Sequence, residues 1–254
     1  MDFDVIPATA RLRCAKALAG AAAIYAVLWV LGFQKLFLND GEGLAALLQI
    51  IGTLYSVLYA FATYVIWGQF TAVESEIRKE SGALKDLLLF SNRLKDSARE
   101  PIVRAVKIYA RAVVETEWGA LARNESNEKT DRLFYDIISS VTHLKPEDET
   151  ERLVHERLLD ITNQASAHRD ERLSLSVKRM PRTLLIFVSL TACMILFLLF
   201  FYPFRNLALG VVSVAITSML LFFAHFVLTD LDNPFEGAWN VRSEPFSDLV
   251  TKFR

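Results

Sequence analysis

Apolar positions along this chain come in two patterns, unbroken runs and helical stripes, and each predicts a different kind of element. Four runs reach the roughly 20 apolar residues that a helix needs to cross ~30 Å of hydrocarbon. They extend from about Ala17 to Phe37, Leu44 to Trp67, Leu184 to Tyr202 and Leu207 to Leu228. Arg11, Arg13 and Lys16 precede the first run in the manner of a signal peptide. That run is too long for one, however, and passes into "LWVLGF" without a small-residue cleavage site, which predicts an uncleaved span.

Between the second and third runs the pattern is striped. Val73, Ile77, Leu84, Leu87, Leu88 and Leu94 recur at helical spacing, so the second spanning helix is expected to continue beyond the membrane. Pro101 is expected to start a further helix with Ile102, Val106, Tyr109, Val113 and Leu121 on its apolar side. "NESNEKT" reads as a loop, followed by a shorter helix carrying Leu133, Phe134, Ile137, Ile138 and Val141. In "KPEDETE", Pro146 takes a first-turn position and the acids sit at the positive end of the dipole of a last helix leading to Pro181. The expected architecture is an all-α integral membrane protein. Residues 1–67 hold the N-terminal segment and spans 1 and 2, 68–182 form an inserted helical cytoplasmic domain, 183–229 hold spans 3 and 4, and 230–254 form a C-terminal segment.

Composition agrees: 53% hydrophobic residues against 22% charged, with the apolar residues clustered, fit no ordinary soluble domain. A net charge of −1 points away from nucleic acid. The distribution of charge orients the chain. Arg11, Arg13 and Lys16, then Lys178, Arg179 and Arg182, then Arg242, Lys252 and Arg254 lie on one side, against Lys35 and Arg205 on the other. The positive-inside rule makes both termini and the central domain cytoplasmic.

The sequence offers little catalytic chemistry. Cys14 and Cys193 give neither a disulfide framework nor metal-ligand spacing, and four scattered histidines give no metal cluster. Glu115 and Glu117, two apart on a helix, point to different faces. No nucleophile with a base, carboxylate pair or metal triad is evident, so the protein is expected not to be an enzyme and to need no cofactor.

The spans say more. Gln49, Thr53, Ser56, Ala60 and Thr63 follow at steps of four, three, four and three, which places them on one face of the second span. Such a stripe either packs against a neighbouring helix or lines water in an oligomeric pore. Continuing the face reaches Trp67 and Phe70, an aromatic constriction if several subunits surround an axis. In the fourth span Gly210, Ser213, Thr217 and Ala224 make a small-residue face, and His225 is an ionisable group within a span. That span ends in "TDLDNPFEG", where Asp230 and Asp232 meet an already negative helix terminus. The expected offset is a salt bridge to Arg169, Arg172, Lys178, Arg179 or Arg182. A cation held by Asp230, Asp232 and Glu236 is the alternative.

Taken in order, "VESEIRKESGALKDLL" after the second span, "HRDERL" before Pro181 and the closing "LDNPFEGAW" resemble the bestrophin-like domain family of bacterial and plant membrane proteins, a domain of unknown function. The similarity covers roughly Leu44 to Val250. That family looks like a distant relative of the bestrophins, ion channels assembled as pentamers around a pore lined by the second span. Asn233, Pro234 and Phe235 match the bestrophin Asn-Pro-Phe-Gly element, whereas Glu236, Gly237, Ala238 and Trp239 stand where calcium-activated members carry an acid run. The resemblance therefore implies no calcium gating. It implies a homo-oligomeric ion channel in the lipid bilayer of a bacterial inner membrane, with permeant inorganic ions as its ligands. A membrane-anchored interaction or sensor protein without conduction is the alternative.

Overall fold

The computed structural model describes residues 8–33 and 40–251, which are helical with no strand among them. The expected end of the first span at Phe37, the loop residue Lys35 and the tail residues Lys252 and Arg254 lie outside the described residues. The chain divides into two compact units, residues 1–67 with 179–232 and residues 68–178 with 233–254. The C-terminal segment from Asn233 onward thus belongs with the helical domain.

The first unit holds α1 (Ala8–Val30), the first half of α2 (Gly41–Ser91), α7 (Arg182–Phe201) and α8 (Leu207–Leu231). All four are long and apolar enough to cross a membrane. The first helix stops earlier than its hydropathy suggests. Residues 31–33 form a turn in which Gly32 takes φ 76°, the left-handed conformation that ends a helix and that glycine adopts without a Cβ penalty. Asn206 caps α8 by accepting from the Ala208 N–H at 2.8 Å.

Helix α1 packs along α8, which also packs against α7. At the first contact Tyr25, fully buried, lies against Gly210, Val214, Leu199 and the edge of Phe204. The buried face of α8 runs Gly210, Val214, Ser218, Leu221, Leu228. Of the small-residue face read from sequence, Gly210 is buried, while Ser213, Thr217 and Ala224 are half-buried, because the buried face turns from Gly210 to Val214, Ser218 and Leu221. A Cβ on Gly210 would overlap the hydroxyl oxygen and Cζ of Tyr25. Gly210→Ala is expected to cost about 1–3 kcal/mol by overpacking. Thermal aggregation midpoints in detergent should show the loss, and in a Tyr25→Ala background, itself less stable, adding Gly210→Ala should cause little further loss.

The second unit contains the remainder of α2, then α3 (Asp96–Ala112), a π-helical turn (Val113–Glu117), α4 (Trp118–Ala122), α5 (Glu128–Thr142), α6 (Glu149–Ser176) and α9 (Glu244–Thr251). Helix α2 is continuous for 51 residues, about 77 Å at 1.5 Å per residue. Two expected helix starts shift. Helix α3 begins at Asp96 with Pro101 in its second turn, where proline forgoes the bond its N–H would give to the Ser97 carbonyl. Helix α6 begins after Asp148, not at Pro146. The Asp148 carboxylate accepts from the Glu151 N–H at 2.7 Å while Glu151 accepts from the Glu147 N–H at 2.8 Å, a reciprocal cap. Asn127 likewise caps α5, its side chain accepting from the Lys129 N–H at 3.1 Å. Around one core, Val73, Ile77, Leu84, Tyr109, Ile137, Leu158, Ile161 and Phe246 are all buried.

Candidate functional site

Helix α2 carries the residues expected to line a path. Gln49, Thr53, Ser56, Ala60 and Trp67 are exposed on its surface, and Thr63 is half-buried. The inward face of the same helix is a different one, occupied by Leu44, Ala62 and Ile66 in the first unit and continued by Val73 and Ile77 in the second. Thus the polar stripe is left uncovered by the chain's own spans. Each hydroxyl on it is satisfied within the helix: Thr53 donates to the Gln49 carbonyl, Ser56 to Gly52 and Thr63 to Tyr59, each at 2.8 Å. This back-bonding lets hydroxyls stand in a low-dielectric environment without an external partner, and leaves their lone pairs outward. Phe70 is half-buried against the core of the helical domain, and Trp67 is 48% exposed.

At the end of α8, Asp232 is half-buried and its Oδ1 accepts from the Met180 N–H at 2.7 Å, in the turn that leads into α7. Burial lowers the Arg179 guanidinium pKa, and the nearby Asp232 carboxylate opposes that shift. Part of the negative charge at this terminus is therefore answered by a backbone donor and by Arg179. Glu236 is exposed and accepts from Asn233 Nδ2 at 3.4 Å. Among the described residues no three His, Cys, Asp or Glu side chains are placed to hold a metal ion.

The Asn-Pro-Phe element acts as a mooring of the tail. Asn233 donates through Nδ2 to the Ala122 carbonyl at 2.9 Å, and buried Phe235 meets Trp118 edge-on at 5.2 Å between centroids. The Pro234 carbonyl accepts from the Val241 N–H at 2.7 Å, closing a loop in which Gly237 takes φ 98°. Beyond it α9 inserts Phe246 among Tyr109, Trp118 and Arg172.

Sequence reasoning missed the ion-pair network at the centre of this domain. Arg172, fully buried, donates through Nε to Glu80 at 2.6 Å and through Nη2 to Glu117 at 2.6 Å. Arg169 donates to Glu117 at 2.9 Å and to Asp131 at 2.7 Å. Tyr109 donates to Glu80 and accepts from Arg169, and Thr130 donates to Glu117. Two arginines expected among the partners of Asp230 and Asp232 are therefore committed to this network. Burial alone would raise the Glu117 carboxyl pKa, but Arg172 and Arg169 outweigh it and hold the group below its ordinary value. Burial and the neighbouring Glu80 push the Tyr109 phenol well above its ordinary value, so it remains a proton donor.

The π-helical turn helps to build this arrangement, since its wider winding ends at Glu117 and the side chain is buried while Glu115 stays exposed. A signal was present in the sequence. Leu158, Ile161, Ala165, Arg169, Arg172 and Ser176 form one buried stripe on α6, so both arginines occupy positions where an apolar residue is expected. Glu80 similarly falls between Ile77 and Leu84 on the inward face of α2.

Three comparisons bear on this fold. The Bestrophin-like domain family matches residues 18–246. A comparison with curated proteins finds no match. Among solved structures, a single-residue variant of a bacterial bestrophin homologue from Klebsiella pneumoniae is 11% identical, with a TM-score of 0.72 over 93% of this chain and 97% of that one. A second variant of that homologue is 10% identical with a TM-score of 0.71 and the same coverage. The structure of a variant of a protein described only as a membrane protein is 10% identical, with a TM-score of 0.69 over 93% of this chain and 96% of the other. At such identities the likeness lies in the fold, and it spans almost the full length of each chain. Because the family match also runs through nearly all of the sequence, from the first span to α9, this membrane protein belongs to the Bestrophin-like domain family.

Proposed function

We propose that the chain is one subunit of a homo-oligomeric ion channel whose α2 helices surround the conduction path, with both termini and the helical domain on the cytoplasmic side. The observation that carries this reading is the polar stripe of α2, which the chain's own helices leave exposed. A helix in lipid has no reason to direct the Gln49 side-chain amide outward unless water or another helix meets it, and the small hydroxyl residues Thr53 and Ser56 share that face. The bestrophins, which the family resembles, are channels lined by the second span, and that resemblance supports the water-facing choice and a pentamer. In this arrangement Trp67 forms a constriction at the end of the stripe, with Phe70 behind it, braced by the core of the helical domain. The proposal assigns no catalytic step; Asp232 serves the turn into α7 and Glu236 the tail.

Ser56→Cys and Thr63→Cys in a background lacking Cys14 and Cys193 test the path. Purified protein in planar bilayers under an asymmetric salt gradient should give discrete currents that a small water-soluble thiol reagent reduces at least severalfold in either variant. Currents untouched by reagent, with labelling absent, would remove α2 from the path. The second reading is a membrane-anchored interaction or sensor protein whose helical domain engages a partner and whose spans do not conduct. Folded, inserted protein that carries no current and co-purifies with a stoichiometric partner would support that reading instead.

A further inference from the structure

Within the first unit lies a cavity of about 300 Å³ between α1, α2, α7 and α8, at the lower end of the size range of small-molecule sites. Its walls are hydrocarbon and aromatic, including Val188, Leu221, Phe222 and the ring of Tyr55. Ser218 also lines it, is 4% exposed, and its hydroxyl has no hydrogen-bond partner. The Tyr25 hydroxyl, buried elsewhere in the same bundle, shares this lack of a partner, but it does not line the cavity. Thr53, Ser56, Thr63, Ser189, Thr191 and Thr229 each donate to a carbonyl in the preceding turn. Burying a hydroxyl with no partner is unfavourable, so an accepting group that entered the cavity at this level would be stabilised by it.

The location of Ser218 narrows the chemistry of such a group. It sits near the midpoint of α8, two turns or about 10 Å from His225, which lines the cavity toward the α8 C-terminus. A phospholipid ester carbonyl belongs at the interface rather than at mid-span, and an alkyl chain accepts nothing. A charged group would face a wall with no counter-ion at that depth. What remains is an uncharged molecule, soluble in the bilayer and compact enough for the cavity, with one accepting oxygen.

We propose that this cavity binds a compact apolar ketone from the bilayer, its carbonyl oxygen accepting from the Ser218 hydroxyl and its rings packed against Tyr55 and Phe222. The assignment rests on membrane location alone and holds whether or not the protein conducts. Benzophenone serves as the probe, because it is a small diaryl ketone that, when irradiated, inserts its carbonyl carbon into a neighbouring C–H bond. The hydrogen moves to the ketone oxygen and a C–C bond forms, with nothing lost. Mass mapping of the full-length protein in nanodiscs should show saturable labelling concentrated on the α7 and α8 segments that line the cavity. Unlabelled cyclohexyl phenyl ketone should compete, and diphenylmethane, which has the rings but no acceptor, should compete about two- to tenfold less well.

Ser218→Ala should weaken labelling by a similar factor, and Ser218→Leu should abolish it by filling the space. Non-saturating labelling spread over the lipid-facing surfaces overturns the proposal, as does equal competition by diphenylmethane. The competition is read on the unmodified protein, so it stands even if a Ser218 variant fails to fold.

Discussion

Arg172→Ala should destabilise the helical domain by about 3–5 kcal/mol, the penalty typical of removing one partner from a buried ion pair. The guanidinium is fully buried and bridges Glu80 and Glu117, two carboxylates with almost no exposure of their own. Deleting it leaves both acids desolvated, with Arg169 and the Thr130 hydroxyl to answer Glu117 and only the Tyr109 hydroxyl to answer Glu80. Lysine should not rescue, because one ammonium cannot reproduce a fork held to two acids at 2.6 Å each. Replacing Arg172, Glu80 and Glu117 together by apolar residues of similar volume should recover much of the loss, since the desolvation cost disappears with the charges. Thermal unfolding in detergent, followed by far-ultraviolet circular dichroism, reads the outcome. A change under about 1 kcal/mol in Arg172→Ala would mean that solvent reaches this network.

Phe246→Ala carries the other large expected effect, again about 3–5 kcal/mol, by removing a fully buried aromatic side chain. Its ring meets Tyr109 at 6.5 Å and Trp118 at 6.1 Å, and Arg172 lies over it at 5.5 Å. Helix α9 has only Phe246 and Leu249 buried, so loss of the ring should release the helix before the rest of the domain unfolds. Hydrogen exchange should then speed up over residues 233–251 while the amides of α3 and α6 keep their protection. Uniform acceleration across the domain would show that the tail is part of one cooperative unit with its core.

These two variants fall where the chain was least legible. Arg169 and Arg172 resemble solvated charges in a domain rich in both signs, and only their register with Leu158, Ile161 and Ala165 betrays their burial. Glu117 was harder still. Its inward direction depends on a π-helical turn that no periodicity announces, because one extra residue per turn shifts the phase of everything after it. Asp232 raised the right question, a negative helix end in need of an offset. The Met180 N–H that answers it is a backbone donor, and backbone donors leave no mark in a sequence.

The exposed stripe of α2 was legible in part. Steps of four and three place Gln49 to Thr63 on one face by helix geometry alone, and a continuous helix preserves that register. Which face of the helix the other spans would cover is a matter of packing between segments distant in sequence, and the chain by itself leaves it open. Phe70 illustrates the same limit, since its partial burial follows from the helical-domain core and not from its place in the stripe.

What the sequence determined on its own is therefore the local and the compositional. Four apolar runs must be helices in a membrane because unpaired backbone groups are too costly in lipid, and the striped segment must fold as amphipathic helices around a shared core. The tertiary structure decided which charges are buried together, where the tail docks, and which hydroxyl is left without an acceptor. Each of those depends on distances between residues tens of positions apart, such as Glu80 with Arg172 or Asn233 with Ala122. Electrostatics and hydrogen bonding act over a few ångströms of space, and only packing brings such residues that close.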